Sequence, residues 1–304
     1  MMEESAKPEK ILFIINPVSG TKDKASIETL IKKKSGKSYE PKIRYTQYAG
    51  HGSKLARKNF KKGIKKFVAV GGDGTVNEIA SQLIDTDAVI GIIPIGSGNG
   101  LARHLNIPLK AGPALELICN HKLVKIDYGT MNDKVFFCTC GVGFDARVGS
   151  KFAESDGRGF ITYARTTIKE YFSYKTRKYT IKTGKKKNKL KTRAFLITFA
   201  NASQYGNNAY IAPDADIQDG KMDICMMLPF PKGRVFDLGL RLFRKTMGRS
   251  KYTNMLRTRE AILERKKPGE VHFDGEPGWM KKNIKVKMHK QGLNVMVAVN
   301  SKLS

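Results

Sequence analysis

The chain is poor in acid. Its 304 residues carry 56 Lys and Arg against 27 Asp and Glu, a formal net charge of +29. Such an imbalance points to a polyanionic partner, either nucleic acid or an anionic membrane surface. The sequence holds one tryptophan and four cysteines (Cys119, Cys138, Cys140, Cys225) with no CxxC pair. Four cysteines without such a pair point to free thiols. The five histidines lack metal-ligand spacing. No stretch reaches the roughly 18 apolar residues of a membrane-crossing helix. The first ten residues, MMEESAKPEK, are polar and lack the apolar core of a secretory signal. The thiols are therefore expected to be reduced and the protein cytoplasmic. No GxxxxGK[ST] stretch occurs, so a Walker-type phosphate loop is excluded. Against these absences, 40% of the residues are hydrophobic and 29 are glycine, enough for a proper core and for tight turns.

The glycines are concentrated where apolar runs end. Phe67-Val68-Ala69-Val70 leads into Gly71-Gly72-Asp73-Gly74-Thr75-Val76-Asn77-Glu78, and Ile11 to Ile15 leads into Asn16-Pro17-Val18-Ser19-Gly20. Val89 to Ile93 leads into Pro94-Ile95-Gly96-Ser97-Gly98-Asn99-Gly100. Each junction reads as a buried strand, a tight turn and a helix start. Glycine admits positive φ and close approach of a ligand, and free N–H groups at a helix start suit phosphate. Ligands of parallel α/β sheets bind at the carboxyl ends of strands, so the three loops are expected to form one nucleotide phosphate site. Asp73 is the candidate for a magnesium ion carried by the phosphates. Thr46, just past the second strand, offers a hydroxyl to the nucleotide. Asn77 and Glu78 are expected to secure the loop–helix junction, and Arg103 to neutralise transferring phosphate.

NPxSG, GGDGTxNE and PxGSxN in this order resemble the diacylglycerol kinase/sphingosine kinase superfamily of lipid kinases, and most of all the soluble bacterial diacylglycerol kinases. Further agreement comes from Gly141-Val142-Gly143-Phe144-Asp145-Ala146, from Ala212-Pro213 through Asp223, and from Phe273-Asp274-Gly275-Glu276-Pro277. One departure is Gly98, where a bulkier or polar residue is expected; Ser97 keeps the hydroxyl. The resemblance implies ATP and Mg2+, a lipid acceptor, and a homodimer. It implies that Glu276 is the general base that takes the proton from the lipid hydroxyl. Asp274 beside it is expected to raise the pKa of Glu276 by its charge. The acid-rich stretch 214–223 could hold a second, structural magnesium with Asp216 and Asp219, and the resemblance adds the Lys221 carbonyl. GGDGT alone is shared with NAD kinases, so an NAD kinase is the alternative enzyme. A basic nucleic-acid-binding protein without catalysis is the alternative of another class, although no helix–turn–helix or RRM signature is present. Read as a dinucleotide fingerprint, 141–146 is weak because no βαβ unit surrounds it. It is expected instead to form part of a lipid-side wall, with Phe144 and aromatics over 152–163 lining an acyl pocket.

Two basic blocks carry much of the charge. Residues 175–193 hold ten cations and no acid, with a hairpin tip expected at 184–188. Residues 241–267 form a second block with Arg241, Arg244, Lys245, Arg249, Lys251, Arg257 and Arg259, and Leu240, Leu242, Phe243 and Met247 are interleaved with it. Cations mixed with apolar groups suit a membrane surface rather than nucleic acid. Peripheral association with the inner face of the membrane is the resulting expectation.

Strand–helix alternation up to about residue 125 predicts an α/β nucleotide-binding domain over 8–125, with a parallel sheet like that of NAD kinase and phosphofructokinase. Strands are expected near 10–16, 41–45, 66–70 and 89–94, and helices near 23–34, 53–60, 75–83 and 112–119. The texture then turns to short β-rich runs, predicting an antiparallel β-sandwich lipid-binding domain over 126–290. Residues 291–304 are expected to return to the first domain.

Overall fold

The computed structural model describes residues 8–20, 24–35, 38–154, 160–184 and 188–301. These divide into two units: 8–96, 105–125 and 293–301 in one, 97–104 and 126–292 in the other.

Unit 1 begins with β1 (Glu9–Ile15), α1 (Lys24–Ser35), β2 (Tyr39–Tyr45), α2 (His51–Lys61), β3 (Lys66–Gly71), α3 (Asp73–Ala80) and β4 (Val89–Pro94). The strands pair in parallel in the order β2-β1-β3-β4. Every residue of β4, and Ile11 to Ile15 of β1, is buried. Strands covered on both faces need continuous apolar runs, and that is what these sequences provide. α4 (Gly100–His104) falls in unit 2, and α5 (Ala111–Cys119) returns to unit 1. α1 packs with α5, and α2 with α3, giving two helical layers for one sheet. β4 takes one more parallel neighbour, Asn294 and Val295.

Unit 2 takes β5 (His121–Met131) from residue 126 on, then β6 (Lys134–Phe136), β7 (Thr139–Gly143), α6 (Phe144–Ala153), α7 (Phe160–Ser173), β8 (Arg177–Thr183), β9 (Asn188–Ala194), β10 (Leu196–Ala200) and β11 (Met222–Met227). After α8 (Val235–Phe243) come β12 (Thr253–Thr258), β13 (Glu260–Arg265), β14 (Gly269–Phe273), β15 (Glu276–Met280) and β16 (Asn283–Ala298). One antiparallel sheet runs β12-β11-β10-β7-β14-β15; the other contains β13, β8, β9 and the first part of β16. Val142, Ile197, Phe199 and Ile224 of the first sheet meet Ile181, Leu263, Ile284 and Val286 of the second in one core. The opposite side chains of β10 and β11, Leu196, Ala200, Cys225 and Met227, join Phe144, Leu238 and Met247 in a second core. Period-2 alternation thus feeds two cores, which is why both strands are buried along their whole length.

The β-rich runs 284–288 and 295–299, separate in sequence, form one strand, β16, and the segment 141–146 ends β7 and opens helix α6. Lys185, Lys186 and Lys187 of the expected hairpin tip lie outside the described residues, although β8 and β9 do pair as a hairpin, Thr183 opposite Asn188.

Candidate functional site

In unit 1 the expected loops follow the carboxyl ends of adjacent parallel strands. Asn16 closes β1, its N–H bonded to the Val70 carbonyl at 2.9 Å. Its side chain donates to Thr75 Oγ1 at 3.1 Å and accepts from the Val18 N–H at 3.1 Å, so one amide joins the first loop to the second. Ser19 N–H bonds back to Asn16 O at 3.3 Å. Pro17 and Val18 stand out into solvent, Val18 at 86% exposure. Gly20 has φ +66°, and a Cβ there would lie 2.0 Å from the Ile95 carbonyl oxygen, so no other residue fits. Thr46 N–H bonds to Ile15 O at 2.9 Å, which sets the buried Thr46 beside the end of β1.

After β3, Gly71 and Gly72 are pressed against their neighbours. A Cβ on Gly71 would meet Thr75 Oγ1 at 2.4 Å, and one on Gly72 would meet Gly96 Cα at 3.3 Å. α3 starts at Asp73, two residues earlier than expected, with Val76 N–H bonded to Gly72 O at 3.0 Å. Asp73 therefore sits in the first turn, where its charge suits the helix dipole. Gly74 and Asn77 are half-buried and Thr75 and Val76 buried. Glu78 does not brace its own loop. Its carboxylate accepts from Gly50 N–H at 2.6 Å and Gly52 N–H at 2.9 Å and so caps α2. Asn77 accepts from Ser81 Oγ at 3.2 Å.

The third loop passes into unit 2 at Ser97, which is exposed. Arg103 Nε donates to Gly98 O at 3.0 Å and Nη1 to Asn208 at 3.1 Å, so its guanidinium also ties the loop to residues 204–208. Gly206, at φ +117°, would drive a Cβ to 2.8 Å from Gly98. The small residue at 98, a departure from the resembling pattern, leaves room for that contact. His104 Nδ1 accepts from the Ser203 N–H at 3.2 Å, and burial lowers its pKa to about 4.

Glu276 is exposed and opens β15, opposite Phe273. The turn between them, Asp274-Gly275, has φ +49° and +84°, the two positive values of a type I′ hairpin. Asp274 is buried, and its carboxylate accepts from the N–H groups of Phe137 (2.8 Å), Cys138 (2.7 Å) and Thr139 (3.1 Å). Asp274 thus anchors the hairpin that carries Glu276.

The acid-rich stretch is closed on itself. Asp216 accepts from Gln218 N–H at 2.8 Å and Asp219 from Lys221 N–H at 2.7 Å. Arg257 grips Asp223 through two contacts of 2.9 Å and reaches Asp219 at 3.8 Å. Two carboxylates and the Lys221 carbonyl make an oxygen-only donor set of the kind magnesium takes. Among the described residues no group of three or more His, Cys, Asp and Glu side chains gathers into a metal cluster. The turns engage one oxygen of each carboxylate, and Arg257 stands 3.8 Å from the other oxygen of Asp219, so a metal there would compete with that arginine.

Two further acids, Asp127 and Asp145, act as anchors. Asp127, fully buried, accepts from Gly220 N–H at 2.5 Å and Gln291 N–H at 2.7 Å, and burial raises its pKa. Its signal was an acid inside the apolar run Ile126-Asp127-Tyr128. Asp145 Oδ2 receives Thr198 Oγ1 at 2.9 Å, Tyr205 OH at 3.1 Å and His272 Nε2 at 3.0 Å. Those partners come from three distant segments, and no spacing announces them. Phe144 packs with Tyr171, Tyr174 and Phe195 in an aromatic group within the second core. Of the expected lining over 152–163, residues 155–159 and the side chains of Phe160, Ile161 and Tyr163 lie outside the described residues.

Comparison with known proteins identifies two consecutive domains. Residues 10–131 match the diacylglycerol kinase catalytic domain, and 138–297 match the YegS C-terminal NAD kinase beta sandwich-like domain. The chain belongs to the diacylglycerol kinase/YegS family of lipid kinases. Within it, the chain is 27% identical to a protein of Bacillus subtilis named "Diacylglycerol kinase", over 88% of this chain and 90% of that one. It is 26% identical to a Yersinia enterocolitica protein named "Probable lipid kinase YegS-like", over 89% and 90%. The match to a like-named Chromohalobacter salexigens protein, at 29% identity, spans 62% of each chain. The fold is that of a crystallised Bacillus anthracis diacylglycerol kinase, with a TM-score of 0.75 at 19% identity, covering 98% of this chain and 100% of the other.

Proposed function

We propose that this family member is an ATP-dependent kinase that transfers the γ-phosphate to a lipid hydroxyl, with diacylglycerol as acceptor and phosphatidate as product. The observation that carries the reading is the set of loops at the carboxyl ends of β1, β3 and β4, braced to one another by Asn16–Thr75 and by the Gly72–Gly96 approach. Such loops offer backbone N–H groups to phosphates without a Walker lysine. Asn16, Pro17, Val18, Ser19, Gly20, Thr46 and residues 71–77 form the nucleotide side in this reading, with Ser97 and Arg103 contributing from the adjoining loop. Asp73 and the phosphates would hold a magnesium ion, which would neutralise charge developing on the transferred group. Glu276 takes the proton from the lipid hydroxyl as its oxygen forms the new bond to phosphorus and the bond to the ADP oxygen breaks. Asp274 holds the turn in place. The acceptor resides in a bilayer, so the protein works docked on the inner face of an anionic membrane. Asp216, Asp219 and the Lys221 carbonyl are proposed to hold a second, structural magnesium that stiffens their loop.

The test is phosphate transfer from radiolabelled ATP with magnesium to a panel of lipids in anionic mixed micelles, with NAD as a control acceptor. Labelled phosphatidate supports the proposal. Label on NAD alone replaces it with the NAD kinase reading, which the sandwich-domain match keeps in view. Label on another lipid corrects the acceptor. Asp73→Ala is expected to lose turnover and metal-dependent nucleotide binding together.

A further inference from the structure

The segment Val235-Phe236-Asp237-Leu238-Gly239-Leu240-Arg241-Leu242-Phe243 forms α8, and it is apolar on more than one side. Leu238 is buried in the second core of unit 2, and Leu242 packs against that core. Met247, just beyond the helix, is fully buried there. A second stripe, Phe236, Leu240 and Phe243, recurs at i, i+4 and i+7 and faces away from that core. Its members are 84%, 45% and 49% exposed. A surface helix ordinarily turns one apolar stripe inward and keeps the other face polar; a second exposed stripe implies a second apolar environment. The sequence grouped Leu240, Leu242, Phe243 and Met247 together, whereas the structure separates them into two inward and two outward residues. It adds Phe236, the most exposed of all.

Further exposed apolar groups stand nearby. The Tyr171 hydroxyl at the end of α7 donates to the Lys232 carbonyl at 3.0 Å, just before α8, and α7 exposes Ile168 and Phe172 at 61% and 66%. The surroundings are cationic. Lys232, Arg234, Arg244, Lys245 and Arg249 are all exposed, while Asp237, the acid of the helix, is paired with Arg241 at 3.1 Å.

We propose that the outward stripe of α8 is the wedge by which this protein enters an anionic bilayer, with Phe236, Leu240 and Phe243 in the interfacial region and the flanking cations at the phosphates. The inference deepens the membrane docking in the function proposed above and rests on it. Charge selects the occupant. A second copy docked by two-fold symmetry would set this patch against itself, bringing five exposed cations of each chain together. An anionic lipid surface complements both the apolar stripe and its rim.

The experiment is flotation of the full chain with vesicles of phosphatidylcholine alone and of phosphatidylcholine with phosphatidylglycerol. It compares wild type, the Phe236→Ser/Leu240→Ser/Phe243→Ser variant, and the Arg234→Gln/Arg244→Gln variant. These side chains are exposed, and unchanged thermal unfolding checks that the variants fold. Wild type is expected to float with anionic vesicles. Each lost apolar anchor should weaken binding about tenfold, and each lost cation about fivefold, on anionic vesicles only. Serine variants that float like wild type, or wild type that ignores anionic vesicles, overturn the proposal. A wild-type dimer that the serine variant converts to monomer assigns the stripe to self-association and also overturns it. Phosphate transfer to a detergent-dispersed acceptor is measured in parallel. If it persists in the serine variant while flotation is lost, docking and chemistry separate as proposed. If it is absent from wild type, the kinase reading falls independently of the flotation result.

Discussion

At the residue scale, single contacts divide the acids of this protein by task. Asp274 spends its carboxylate on three backbone N–H groups, whereas Glu276, two residues on, is exposed. Glu276→Gln is expected to abolish turnover, a loss of about a hundredfold or more for a general base, while nucleotide affinity measured by titration stays near wild type. A wild-type rate would remove Glu276 from the chemistry. His104 gives a pH prediction. Its pKa falls from 6.5 to about 4 on folding because burial disfavours the charged form. The unfolded chain thus binds the proton first, so the contribution of neutral His104 is fully present above 6.5 and is lost as pH falls toward 4. Chemical denaturation across that window should show stability falling with acidification, and His104→Gln should flatten the slope. Asp216 acts in the opposite direction on this histidine, so Asp216→Asn should steepen it.

At the element scale, the β14–β15 hairpin depends on a two-residue turn and one buried carboxylate. Asp274→Ala leaves the N–H groups of 137–139 without that acceptor, a destabilisation on the order of 3 kcal/mol or more. Its melting temperature should drop markedly, whereas that of Glu276→Gln should not. Comparison of the two separates anchoring from chemistry. The elements also show what the sequence could and could not disclose. The strand–glycine junctions were legible because β1, β3 and β4 are buried on both faces and cannot hide their apolar runs. α6 was not, since Gly141-Val142-Gly143 reads as loop although it ends a strand, with Gly143 at φ +113°. β16 looked like two strands because Lys290-Gln291-Gly292 is polar, with Gln291 at φ +54°. The Asp145 group was illegible in principle: its partners Thr198, Tyr205 and His272 lie 53, 60 and 127 residues away. α8 showed its amphipathic composition in sequence, but only the fold reveals which leucines face the core.

At the scale of the whole molecule, the chain carries a net charge of +29. Attraction to anionic surfaces should weaken steeply with salt, while burial of the α8 stripe should not. Flotation at rising ionic strength is therefore expected to leave a residual apolar component in wild type and none in the serine variant. Within unit 1, Asn294 donates to the carbonyls of Thr86 and Ala88, both at 3.1 Å, where the late strand meets β4. Asn294→Ala should lower stability by about 1–3 kcal/mol, read as faster amide exchange in β4.

That pairing joins residues up to 208 positions apart, which bears on birth rather than function. As the chain leaves the ribosome, β4 and the loop that follows β3 are made long before Asn294 and Val295. Until then the nascent sheet has an open edge at β4, with apolar residues on both faces and backbone groups waiting for a partner. Shelter of unit 1, by the ribosome or a chaperone, is therefore expected while unit 2 is synthesised, and translation pauses inside unit 2 should raise aggregation of unit 1.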